Sequence, residues 1–132
     1  MNSEAVRTQT NRLLTFSAAV ECATGLALIV APSLVVWLLL GAELSNAAAI
    51  SLGRVAGFAL LALGLAVWPR RNHVDVTPAA PLAVLTYNSL TALYLLYLGL
   101  AREASGLLLW PAVALHGIVA LLLVYLWKKQ NS

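Results

Sequence analysis

The chain has 132 residues, of which 61% are hydrophobic and only 10% charged, with a net charge of +3. Its mean hydropathy is +0.88. A soluble domain carries about a quarter charged residues, and here the bases flank long apolar runs without forming a face interleaved with aromatics, so the composition points to a membrane protein and nucleic-acid binding is not expected. The length holds one domain, 1–132, and its order of apolar runs predicts an all-α membrane protein.

A bilayer core of about 30 Å needs roughly 20 apolar residues as a helix. The first predicted span runs over 13–31 and ends where Pro32 removes a backbone donor. Residues 33–40 (SLVVWLLL) are apolar but too short to cross, and read as a short interfacial helix closed by Gly41. Further spans are predicted over 47–68, 81–100 and 107–127, with a polar loop from Arg70 to Thr77 between the second and third. The apolar stretch after Arg12 is too long for the core of a cleavable leader, so the first span is expected to stay in the mature chain.

Four spans make an up-down bundle with both chain ends on one face. Arg7, Arg12, Arg70, Arg71, Lys128 and Lys129 collect on that face, against Arg102 opposite. The positive-inside rule therefore predicts cytoplasmic termini. Trp68 and Trp127 fall at one face and Trp37 and Trp110 at the other, as interfacial aromatics do.

Polar residues inside spans are costly unless paired or hydrated. Glu21, Arg54, Asn88 and His116 lie well inside four different spans. A rise of 1.5 Å per residue puts them about 11 to 16 Å in from one end of their spans, deep enough to converge. Ser17, Glu21 and Thr24 share one helical face, as do Tyr87, Thr91 and Tyr94 with Asn88 at the edge. Gly53, Gly57 and Gly64 give the second span a smooth side, read as packing between spans of one chain, with Arg54 adjacent to it.

The candidate ligand-binding set is thus Glu21, Arg54, Tyr87, Asn88 and His116. The competing reading is a structural Glu21–Arg54 ion pair with Asn88 and His116 as polar glue between helices. Burial and a neighbouring guanidinium act on a carboxyl in opposite directions, so the sequence leaves the charge of Glu21 open. His116 is the second candidate proton carrier, or a single axial ligand to iron. With His73 in a loop and Cys22 alone in its span, no multi-ligand metal site is expected. The thiol reads as a small core residue.

The order of features resembles small bacterial four-span proteins of the broad DoxX-like type. The matching stretches are APSL and LLLG (Ala31 to Leu34, Leu38 to Gly41), GRVAG (Gly53 to Gly57), TYN (Thr86 to Asn88) and LWPAVALHG (Leu109 to Gly117). The resemblance implies a bacterial inner-membrane protein and a link to quinone-dependent or redox-stress chemistry. The leading expectation is a polar intramembrane pocket for a small or lipophilic, quinone-like ligand, serving as a redox accessory. One alternative is a proton-coupled transporter using Glu21, similar to small multidrug exporters and needing a homodimer to enclose a pathway. The other is an assembly subunit without chemistry of its own.

Overall fold

In the computed structural model, residues 3–68 and 79–130 are described. They form five helices: α1 (Ser3–Val30), α2 (Pro32–Leu40), α3 (Ala47–Val67), α4 (Ala79–Leu100) and α5 (Leu109–Gln130). Four of them, α1, α3, α4 and α5, are long and apolar enough to cross a membrane. The loop expected between the second and third spans, with Arg70, Arg71 and His73, lies outside the described residues.

The helix ends follow from local chemistry. Ala31 takes a non-helical conformation (φ −137°, ψ 62°) because the following Pro32 crowds its backbone, and Pro32 then opens α2 at a position needing no N–H donor. Gly41 closes α2 in the left-handed region (φ 73°), donating its N–H to the Trp37 carbonyl. The Asn46 side chain caps α3 by accepting from the Ala49 N–H at 2.8 Å. At the end of α4, Arg102 is left-handed (φ 58°), and the N–H groups of Arg102 and Glu103 return to Gly99 and Leu98. The 101–108 connection donates from Ser105 and Leu108 to the Leu40 and Leu38 carbonyls, satisfying the end of α2.

The first helix starts ten residues before the expected span. Hydropathy marks where the apolar run begins, whereas the helix needs only compatible backbone and satisfied side chains. Thr8, Thr10 and Thr15 each donate to the carbonyl four residues earlier, and Val6 is buried. At 28 residues α1 is about 42 Å long, more than the bilayer core requires.

The long helices alternate in direction, so Ser3 and Gln130 lie at the same end of the bundle and α2 packs at the other. Helix α1 touches every other helix, while α3 and α5 do not meet among the described residues. The α1–α3 contact is close and antiparallel. A Cβ on Gly57 would lie 2.7 Å from the Gly25 carbonyl oxygen, and one on Gly64 would lie 2.8 Å from that of Ala18. These glycines therefore pack within the chain, as their spacing predicts.

Two apolar clusters fill the bundle. Leu14, Ala18, Val67, Val84, Val119 and Leu123 occupy the half nearer the chain ends. Leu95, Leu98, Ala104 and Leu109 occupy the other half. Large apolar side chains such as Leu52, Phe58, Leu90, Leu93 and Leu121 face outward, an arrangement suited to lipid contact and unfavourable in water.

Candidate functional site

Between the two apolar clusters lies a polar layer. On α1, Ser17 and Glu21 are one turn apart, and the Ser17 hydroxyl donates to Glu21 Oε1 at 2.8 Å. On α4, the next helix to reach this level, Asn88 donates from Nδ2 to the Val84 carbonyl at 2.9 Å. The same nitrogen lies 3.5 Å from both Ser17 Oγ and Glu21 Oε1, at the long limit of a hydrogen bond. Ser17, Glu21 and Asn88 are 3%, 2% and 1% exposed, which makes this the buried polar centre of the described residues.

From α5, His116 completes the cluster. Its Nδ1 is 2.7 Å from Asn88 Oδ1. The Val84 carbonyl can only accept, so it fixes the amide with Nδ2 inward and Oδ1 toward the imidazole. An amide oxygen also only accepts, and His116 Nδ1 must therefore carry the hydrogen. In the neutral ring this leaves the lone pair on Nε2. Tyr87 meets the imidazole edge-on, with ring centroids 5.6 Å apart and planes at 84°. His116 and Tyr87 are half-buried, so they form the accessible margin of a cluster whose inner members are sealed.

Four of the five expected site residues thus come together. Arg54 does not join them: it is exposed on the outer side of α3. The reason is azimuthal. Gly57, buried against α1, and Gly53, against Pro32, mark the inward face of α3, and one further residue turns about 100° around the helix. The Glu21–Arg54 ion pair of the competing reading is consequently not formed. The donors to Glu21 are the neutral groups of Ser17 and Asn88, and its second oxygen, Oε2, is buried without a hydrogen-bonding partner. Burying a carboxyl oxygen unmatched is unfavourable and is retained in few places.

The α4 stripe also differs from expectation. Asn88 is central, in line with buried Val84 and Leu95, while Tyr94 at the end of the expected Tyr87–Thr91–Tyr94 face is exposed. Ser17 makes the shortest contact to Glu21, and its four-residue spacing was the available signal. The Val84 carbonyl, which orients Asn88, carries no signal in the sequence. Cys22 is half-buried beside Gly64, in the α1–α3 contact and outside the cluster. No three of the described His, Cys, Asp and Glu residues come together.

The fold and cluster define a class: an all-helical chain with four helices able to cross a membrane and a carboxyl–amide–imidazole group between them. Compared with known protein families, curated proteins and solved structures, the chain gives no match.

Proposed function

We propose that this is a small bacterial inner-membrane protein, with both termini cytoplasmic and α2 at the outer interface, that binds the polar head of a small or lipophilic ligand at the His116–Tyr87 margin. The resemblance to DoxX-like proteins makes a quinone the ligand class of choice and a redox accessory the role. The observation that carries this reading is the fixed imidazole: Asn88 takes the Nδ1 hydrogen, so Nε2 remains for a ligand. Neutral Nε2 accepts from a hydroquinone hydroxyl, and a protonated ring donates to a quinone carbonyl. Glu21 and Ser17 hold Asn88 from behind, and the bilayer takes up the ligand's apolar tail.

Equilibrium binding of a decyl-substituted benzoquinone to the protein in nanodiscs tests this. Saturable binding should weaken at least about tenfold in His116→Ala, corresponding to roughly 1.4 kcal/mol, and stay unchanged in Arg54→Gln. Linear partitioning, identical in wild type and His116→Ala, would contradict the proposal.

A second reading, a proton-coupled transporter acting as a homodimer, is favoured by one observation: Glu21 has neutral hydrogen-bond donors in place of the expected arginine. It predicts that liposomes carrying the protein release protons on addition of a lipophilic cation, and that Glu21→Gln abolishes the release.

A further inference from the structure

A cavity of about 460 Å³ opens at the end of the bundle that carries both chain ends. Its lip is polar, with Arg7 and Asn11 from α1 and Gln130 from α5, and its wall is apolar, with Leu82 and Leu85 from α4 and Trp127 from α5. Buried Leu14 and Val84 lie between it and the Ser17–Asn88 layer, so the two are separate. The volume falls within the range of small-molecule sites. The polar edge and apolar interior sit beside an exposed tryptophan at a helix end, the level at which interfacial aromatics meet lipid headgroups.

Charge and hydrogen bonding narrow the occupant. Arg7 lines the lip, and Lys128 and Lys129 lie between the lining residues Trp127 and Gln130; among the described residues at this end the acid is Glu4, one turn before Arg7. Bases at this depth attract anionic headgroups, and a guanidinium suits phosphate in particular because it can donate two parallel hydrogen bonds. Asn11, which lines the cavity, has a buried Oδ1 with no hydrogen-bonding partner, so a small side-chain rotation would offer the cavity an acceptor. A headgroup carrying both a phosphate and a hydroxyl matches that pair.

We propose that the cleft between the start of α1, the start of α4 and the end of α5 binds an anionic phospholipid with a hydroxyl-bearing headgroup, of the phosphatidylglycerol type. The phosphate meets Arg7, the headgroup hydroxyl donates to Asn11, and the first methylenes of one acyl chain lie against Leu82, Leu85 and Trp127. This site is independent of the ligand proposed for His116.

The test is retention of phosphatidylglycerol and phosphatidylcholine by the delipidated full chain in detergent, read by native mass spectrometry. Wild type should prefer phosphatidylglycerol by about tenfold, and Arg7→Gln should reduce that preference to below about threefold. Leu82→Trp, which fills the wall from an exposed position, should weaken retention of both lipids. Inorganic phosphate at millimolar concentration should displace neither. Equal retention of the two lipids by wild type overturns the proposal, as does an unchanged preference in Arg7→Gln. Complete displacement by inorganic phosphate would also overturn it, showing a free-anion site. His116→Ala should leave lipid retention unaltered, which keeps this test separate from that of the quinone site.

Discussion

Helix α1 makes two contacts of opposite character. Toward α3 it presents Gly25, and α3 answers with Gly57 and Gly64, so the two backbones meet with almost no side chain between them. Toward α4 and α5 it presents Ser17 and Glu21, which reach Asn88 and through it His116. The first contact gains dispersion energy and geometric precision but offers no chemistry. The second spends stability on buried polar groups, one of which, Glu21 Oε2, has no partner. Where lipid is the solvent, helix association does not need such a group, because close packing already supplies it. One pair of helices is thus joined by close packing and the next by a polar cluster with an unmatched oxygen, a difference that supports the ligand-binding role proposed for the cluster.

Substitutions should separate the two contacts. The largest effect is expected in Gly57→Leu, whose side chain would begin 2.7 Å from the Gly25 carbonyl and 2.9 Å from an Ile29 carbon. Backbone cannot swing aside, and a loss of about 3 kcal/mol or more in an unfolding equilibrium in mixed micelles should follow. Asn88→Leu should cost less, about 1 to 2 kcal/mol. It should also release His116 from its single tautomer, seen as a change in imidazole nitrogen shifts. Gly117→Ala goes the other way: a Cβ there meets nothing within 4 Å, and the same unfolding measurement should show a gain of up to about 1 kcal/mol from helix propensity. Smallest of all is the coupling between Glu21 and Arg54. A double-mutant cycle of Glu21→Gln and Arg54→Gln should give an interaction below about 0.5 kcal/mol, whereas a buried ion pair would give several.

What the sequence made legible divides along the same line. Contacts within one helix follow from spacing, so Ser17 and Glu21 were readable as one face. Depth is also readable, because rise per residue is fixed, and it placed Asn88 and His116 level with Glu21. Rotation of one helix against another is not. Arg54 has the right depth and the wrong azimuth, and the clue lay in its neighbours, since Gly53 and Gly57 occupy the inward face that Arg54 leaves. Hydropathy located the ends of α2 through α5 within three residues. It missed the start of α1 because the residues from Ser3 to Arg12 are helical without being apolar. Gly25 went unnoticed as the partner of Gly57, as a lone glycine in a span has no pattern to announce it.

The proposed function requires that the cluster ending in His116 hold a ligand. Native mass spectrometry of the protein released from lipid nanodiscs tests it most directly, comparing wild type with His116→Ala. A ligand-holding cluster gives a reproducible added mass, distinct from phospholipid, that is present in wild type and lost in the variant while both remain folded. The same bare mass in the two proteins, or an added mass that survives the loss of the imidazole, would contradict it.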